Sequence, residues 1–266
     1  MKEIRALLMA GAAALALASC ARAGPPLDMG IYKGTKGYVL QFGKDFKAGM
    51  NSVDEVGISV AILLDVSGSM GDPPRSGGDP KYIQASKAFG TITSYLEGLT
   101  RRQKDLKIQV TLLKFSGGVE TVLPMTELSP EGLAKLKAAE DPRNFQPEGN
   151  TAIGVALEAG AKALAQSGTI FNSLIIITDG ENNVEPEPLE VMDAIYSNRN
   201  NASTRDLSVA TSTQLVSFVG FDVTSPKFGE FHGRGARITA ANNQEELEKG
   251  LKSFLEADIT KLEGKP

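Results

Sequence analysis

The chain has 266 residues, of which 41% are apolar, and this is enough for one large domain with a substantial core. Its formal net charge is −4, and it contains no tryptophan, one histidine and one cysteine. The sequence lacks a basic patch with interleaved aromatic residues, which argues against nucleic acid as a partner. A single histidine and a single cysteine also argue against a zinc site built from those ligands.

The first residues, MKEIRALLMAGAAALALASCARAG, have the layout of an export signal. Lys2 and Arg5 precede an uncharged apolar run from Ala6 to Ala18, which is shorter than the roughly 20 residues of a membrane-spanning helix. The stretch LASC at 17–20 resembles the lipobox of bacterial lipoproteins, in which the cysteine is acylated and becomes the mature N-terminus. We therefore predict a signal peptide over residues 1–19 and a lipid anchor on Cys20.

Processing of this leader has an alternative outcome. Cleavage after the small-x-small triplet Ala21-Arg22-Ala23 would secrete the protein and discard Cys20 with the leader. A lone cysteine at this position of an exported chain favours acylation, and it excludes a disulfide within the chain. In a Gram-negative host, Ala21 resembles the pattern sent on to the outer membrane, because the usual inner-membrane retention signal at that position is aspartate.

The remaining chain divides into a tether, one domain and a short tail. Residues 20–56 contain the anchor site and the Pro-Pro and glycines of ARAGPPLDMG, which suit a tether. Within them, Ile31 and Tyr32 are predicted to pair with residues 38–42 as a small hairpin. The domain is predicted over residues 57–258, and residues 259–266 form the tail.

Strands and helices alternate along the predicted domain. The nearly continuous apolar runs GISVAILLDVS from Gly57 and SLIIITDG from Ser173 are typical of strands covered on both faces. Further strands are predicted at LKIQVTLLKF, VETVLP, QLVSFVGF and ARITAA, and helices after Asp79-Pro80, after Ser129-Pro130, before Gly168, over 189–196 and from Asn243. VETVLP follows SGG as a hairpin strand. The pattern predicts an α/β, three-layer, doubly wound fold of Rossmann-like type, with a mostly parallel six-stranded sheet and one antiparallel edge strand.

Two carboxylates stand at the ends of buried strands. Asp65 ends the first strand and Asp179 ends the strand from Ser173, so both belong to the sheet edge where ligands of such folds bind. Carboxylates that share a site repel each other, and a bound cation would offset their charge. Because the neighbouring oxygens are the hydroxyls of Ser67 and Ser69, a hard ion such as Mg²⁺ or Mn²⁺ is favoured.

These residues carry a family resemblance. The run Asp65-Val66-Ser67-Gly68-Ser69 resembles the DxSxS signature of von Willebrand factor A-type domains, whose metal-ion-dependent adhesion site is built from three loops. The second loop of the family supplies a threonine, matched by Thr151 in EGNTAIGVAL, and the third an aspartate in a TDG turn, matched by Asp179. The resemblance covers about residues 57–258. It implies that the two serines and Thr151 donate oxygens to Mg²⁺ (or Mn²⁺ or Ca²⁺), while the two aspartates act through bound waters or hold the hydroxyls.

The function implied by the resemblance is protein binding rather than catalysis. A protein partner would contribute an acidic residue to the metal, and no small-molecule substrate is expected. In switching members of the family the last helix moves on binding, which would be residues 245–256 here. The loops 71–80 and 181–213 are longer than the family pattern, and they are either partner-contact surfaces or solvated insertions without a role.

Two other classes of function are less favoured by the residues. A Mg²⁺-dependent phosphohydrolase of the haloacid dehalogenase type needs a second aspartate at the position of Ser67, and the sequence has no GxxxxGK[ST] loop. A Ser-His-Asp hydrolase would have to use His232, which is predicted in a surface loop and has no accompanying G-x-S-x-G elbow. The last alternative is a structural lipoprotein that uses the sheet scaffold without metal.

Overall fold

The computed structural model describes residues 55–104, 106–201, 214–223 and 228–262. The predicted leader, Cys20, tether residues 20–54 with the predicted hairpin, and residues 263–266 lie outside these described residues. The first strand begins at Glu55, inside the predicted tether, and the last helix ends at Leu262, four residues past the predicted domain end at 258. In chain order the elements are β1 Glu55–Asp65, α1 Lys81–Arg102, β2 Lys107–Phe115, β3 Val119–Glu127, α2 Pro130–Ala139, α3 Ile153–Ala165, β4 Thr169–Thr178, α4 Pro188–Asn201, β5 Gln214–Phe221, α5 Gly229–Gly233, β6 Arg237–Ala241 and α6 Gln244–Leu262. Short 3₁₀ turns cover Gly68–Gly71 and Pro142–Phe145.

A single twisted sheet organises the domain. Within the described ranges it has six strands in the order β3-β2-β1-β4-β5-β6. Neighbouring strands are parallel apart from β2 and β3, which form an antiparallel hairpin at one edge. The two most apolar strands, β1 and β4, lie side by side in the centre, where both of their faces are covered. The predicted sheet with its antiparallel edge strand is confirmed.

Helices cover the sheet on both faces, because alternate side chains of each central strand point in opposite directions. Ile62 and Leu64 of β1 join a core cluster with α1 and α6, whereas Leu63 joins the cluster formed with α3 and α4. These two clusters make the three-layer arrangement predicted from the alternation of strands and helices. Among the described helices, none is long and apolar enough to cross a membrane.

The ends of the helices show where local sequence rules succeed and where they fail. Ser129 caps α2 by accepting a hydrogen bond from the amide of Gly132 at 3.1 Å, as its Ser-Pro pattern predicts. Helix α1 instead begins at Lys81 with Pro80 in the cap position, and the carboxylate of Asp79 pairs with Lys87. The prediction of a loop around His232 is wrong, because Gly229–Gly233 forms a short helix in which His232 is exposed.

Candidate metal centre

The two aspartates chosen from the sequence meet at the carboxyl edge of the sheet. Asp65 is the last residue of β1, and Asp179 directly follows β4, which pairs with β1 up to Leu64 and Ile177. The hydroxyl of Ser69 donates a hydrogen bond to Asp179 Oδ1 at 2.9 Å, so the loop after β1 contacts the loop after β4. Two segments more than a hundred residues apart therefore share one cluster of oxygen atoms.

Asp65 is fully buried and has uncharged hydrogen-bond partners. Its Oδ1 accepts a hydrogen bond from the Ser67 amide at 2.7 Å, and its Oδ2 accepts one from Thr178 Oγ1 at 2.6 Å. Burial, with a smaller contribution from nearby Asp179, raises the pKa of Asp65 to about 7, against the lowering effect of these hydrogen bonds. The group holds the Ser67 backbone in place at the cost of burying an acid.

Asp179 has a cation beside it. Lys81 Nζ lies 2.7 Å from Asp179 Oδ2, and the two side chains are only 10% and 1% exposed. The contact is an ion pair without hydrogen-bond geometry, since Oδ2 is buried without a hydrogen-bond partner. Sequence reasoning missed Lys81. The available signal was a lysine in the first turn of a helix, where a positive charge opposes the helix dipole.

The second loop approaches the same edge through backbone contacts. The Gly68 amide donates to the Gly149 carbonyl at 3.2 Å, and the Glu148 amide donates to the Val66 carbonyl at 2.6 Å. The predicted ligand Thr151 is 5% exposed and lies next to the third loop. A Cβ built on Gly180 would stand 3.6 Å from Thr151 Oγ1. All three predicted loops therefore meet at this edge.

Asn183 ties the third loop to the second. The side-chain oxygen of Asn183 accepts a hydrogen bond from the Thr151 backbone amide at 2.8 Å. The backbone amide of Asn183 donates to the Thr151 carbonyl at 2.9 Å. This reciprocal pair fixes the backbone of the predicted threonine ligand. Sequence reasoning assigned no role to Asn183, although it follows TDG in the polar run GENN.

The donor set suits a hard cation. Ser67 Oγ and Ser69 Oγ are 3.3 Å apart, and the carboxylates of Asp65 and Asp179 accept hydrogen bonds from the Ser67 amide and the Ser69 hydroxyl. Among the described residues, no group of three or more histidine, cysteine, aspartate or glutamate side chains could hold a metal ion. A metal at this edge would therefore need the hydroxyl oxygens, which Mg²⁺ accepts and a soft ion does not favour.

The long loop between β1 and α1 is fastened across the neighbouring strand ends. Arg75 donates from its Nε to Asp222 Oδ1 at 2.9 Å and from its backbone to Asp222 Oδ2 at 3.1 Å. Ser76 Oγ donates to the Asn242 carbonyl at 2.5 Å. Because Asp222 follows β5 and Asn242 follows β6, the loop lies along the carboxyl edge beside the candidate site. A role for this loop in partner contact stays a prediction.

Sequence comparison adds independent evidence on the family. Residues 60–181 match the family model of the von Willebrand factor type A domain. A search of curated protein sequences gave no significant match.

Solved structures of similar fold come from several bacteria. The minor pilin PilB from Streptococcus sanguinis is 17% identical, with 78% of this chain and 62% of that chain covered and a TM-score of 0.54. A von Willebrand factor type A protein from Catenulispora acidiphila is 16% identical, with 75% and 42% covered and a TM-score of 0.53. The pilus adhesin SpaC from Lactobacillus rhamnosus GG is 15% identical, with 78% and 31% covered and a TM-score of 0.53.

The chain spans less than two thirds of the length of each of these proteins. At these identities the likeness concerns the fold alone. Sequence match, sheet topology and structural likeness agree on one family. The chain carries a von Willebrand factor type A domain.

Proposed function

We propose that the domain binds another protein through a divalent cation held at the carboxyl edge of its sheet. The observation that carries this proposal is the position of Ser69 Oγ, which donates to Asp179 at 2.9 Å and lies 3.3 Å from Ser67 Oγ. One hydroxyl thereby joins the oxygens of the first loop to those of the third. The proposed cation is Mg²⁺, with Mn²⁺ or Ca²⁺ as substitutes.

The residues divide into ligands and supports in this proposal. Ser67, Ser69 and Thr151 offer neutral hydroxyl oxygens to the ion. Asp65 holds the backbone of Ser67, and Asp179 orients the hydroxyl of Ser69. Neutral ligands leave much of the charge on a dication uncompensated. The bound ion would thus supply a strongly electropositive position to which an acidic side chain of a partner protein can bind.

A groove beside the candidate site offers room for the rest of a partner segment. It has a volume of about 400 Å³ and lies between the β2–β3 turn and the second loop. Its lining includes residues 116–118 and 148–150. The groove is only partly enclosed, so it can admit an extended segment of a partner protein as well as a small molecule.

The relatives support a role at the cell envelope. Two of the similar structures are pilus proteins, a minor pilin and a pilus adhesin. We propose that this chain is exported and anchored by a lipid on Cys20, with the outer membrane as its location. The domain would then act as an adhesion module rather than as an enzyme.

The metal is tested by calorimetry on the full-length chain purified in detergent. We expect binding of Mg²⁺ or Mn²⁺, weakened at least about tenfold by Ser69→Ala because a ligand and a contact to Asp179 are lost. Ser76→Ala is the matched control, since Ser76 lies in the same long loop but bonds to Asn242. Absence of metal binding by the unchanged chain, both without and with added acetate as an acidic ligand, would end the proposal.

Partner capture is tested by crosslinking in cells, with Mg²⁺ or with EDTA added. Capture of a protein partner is expected to depend on Mg²⁺ and on Ser69, and to survive Ser76→Ala. If EDTA and the Ser69→Ala substitution both leave capture as high as that of the unchanged chain in Mg²⁺, the result would favour the metal-independent scaffold.

The lipid anchor is tested separately by metabolic labelling with a fatty-acid analogue. The unchanged chain should incorporate label and fractionate with membranes, and Cys20→Ser should abolish both, since Cys20 is the sole cysteine of the sequence. Unlabelled, freely released protein from the unchanged chain would support cleavage after Ala23 instead.

A further inference from the structure

A lysine stands where the candidate site needs a positive charge. Lys81 Nζ is 2.7 Å from Asp179 Oδ2, and both side chains are almost completely buried. The same Asp179 holds the hydroxyl of Ser69 through its other oxygen. Asp179 therefore links the ammonium group of Lys81 to Ser69 Oγ, one of the oxygens proposed as metal ligands.

The position of Lys81 is unfavourable for the helix that contains it. It is the first residue of α1, and no acidic residue lies in that first turn. A positive charge there opposes the helix dipole, and burial removes it from water. Both costs are offset by the charge of Asp179. The pair with Asp179 is thus the favourable interaction that the structure provides for this ammonium group.

A dication at the site would compete for that interaction. Two cations near one carboxylate repel each other, so the ammonium group and the metal cannot both use Asp179 without cost. Asp65 and Asp179 supply two negative charges when ionised, and Lys81 supplies one positive charge. Adding a dication leaves an excess of one positive charge, which one acidic group from a partner would balance.

We propose, resting on the metal-dependent function proposed above, that Lys81 competes with the metal for the negative charge of Asp179 and thereby makes metal binding depend on an acidic partner group. The metal alone binds weakly because it must displace or repel the ammonium group. An acid that coordinates the ion also compensates for the charge of Lys81, so the two ligands bind cooperatively.

The test is Mn²⁺ calorimetry on the full-length chain in detergent, in potassium chloride and in potassium acetate of equal ionic strength. Lys81→Gln is expected to bind Mn²⁺ about tenfold more tightly than the unchanged chain in chloride. Lys81→Met is a second neutral variant that keeps an apolar stem, and Lys81→Arg keeps the charge and should remain weak. Lys87→Gln is the matched control, because it makes the same charge change on the same helix at an exposed pair with Asp79.

Acetate provides a readout on the unchanged chain that needs no variant. It should tighten Mn²⁺ binding to the unchanged chain and to Lys87→Gln, and it should have a smaller effect on Lys81→Gln. Equal or weaker Mn²⁺ binding in both neutral variants, or no acetate effect on the unchanged chain, would overturn the competition. If none of the chains binds Mn²⁺, the metal-dependent function itself fails, and this outcome is distinct from equal binding by all of them.

Discussion

Two buried aspartates on one domain are treated in opposite ways. Asp258 on α6, near the amino end of the sheet, is 1% exposed and contacts both terminal nitrogens of Arg237 at 2.6 and 3.0 Å. Ser173 donates a further hydrogen bond to it at 2.8 Å. Asp65 at the carboxyl edge is as deeply buried, but Ser67 and Thr178 offer it only uncharged donors.

The difference separates a structural role from a binding role. Arg237 also donates to Ser217, and its guanidinium group stacks 4.9 Å above the ring of Phe254. Both the charge and the flat face of the guanidinium group therefore make contacts within the protein. This cluster ties α6 to the sheet and needs nothing from outside. The carboxyl edge keeps a buried acid without a cationic hydrogen-bond donor, which is the arrangement that a bound ion would complete.

The largest predicted effect comes from breaking the structural pair. Arg237→Met leaves Asp258 buried without its counter-charge, and we expect a loss of about 3–5 kcal/mol in the free energy of unfolding by urea. Lys114→Met is the control, because its pair with Glu120 is partly exposed and should be worth about 1 kcal/mol or less. The double variant Arg237→Met with Asp258→Leu should recover much of the loss. If Arg237→Met lowers the free energy of unfolding no more than the control does, the Arg237–Asp258 pair does not stabilise the fold as proposed.

An intermediate effect is expected from metal at the other end of the sheet. Mg²⁺ at about 100 times its dissociation constant should stabilise the unchanged chain by about 2.7 kcal/mol relative to EDTA. Asp65→Asn and Ser69→Ala should lose this increment. Arg237→Met should keep it, provided that the variant remains folded, because the two regions lie at opposite ends of the sheet. If Arg237→Met also loses the stabilisation by Mg²⁺, the two regions are energetically coupled and do not have separate roles.

The elements and the site acids were predictable because their signals are local. Apolar runs set β1 and β4 in the centre of the sheet, and a carboxylate directly after such a run must lie at its carboxyl edge. Asp65 and Asp179 follow from that rule alone. The hydroxyl pair of Ser67 and Ser69 needed only the spacing of one loop.

The partners of those acids were not predictable in the same way. Lys81 reaches Asp179 from a helix that is separated from the end of β1 by fifteen residues, and the direction of that helix depends on the packing of the whole layer. Asn183 reaches Thr151 across two loops. Arg237 and Asp258 lie 21 positions apart on different elements, so neither the charge pattern nor the periodicity marks them as a pair.

The smallest predicted effect tests the contrast at Asp65 itself, in EDTA. Measured above pH 7, where Asp65 is ionised, Asp65→Asn removes a buried charge but keeps the shape of the side chain. The amide oxygen can still accept from Ser67, and the amide nitrogen can donate to Thr178. We expect the free energy of unfolding by urea to rise by about 1 kcal/mol, since an uncompensated buried charge is relieved. The matched change Asp258→Asn should lower it, because Arg237 then loses its counter-charge. If both substitutions change the free energy of unfolding in the same direction, the contrast between the two aspartates is wrong. The charge of Asp65 would then be compensated within the protein, as that of Asp258 is, without a bound ion.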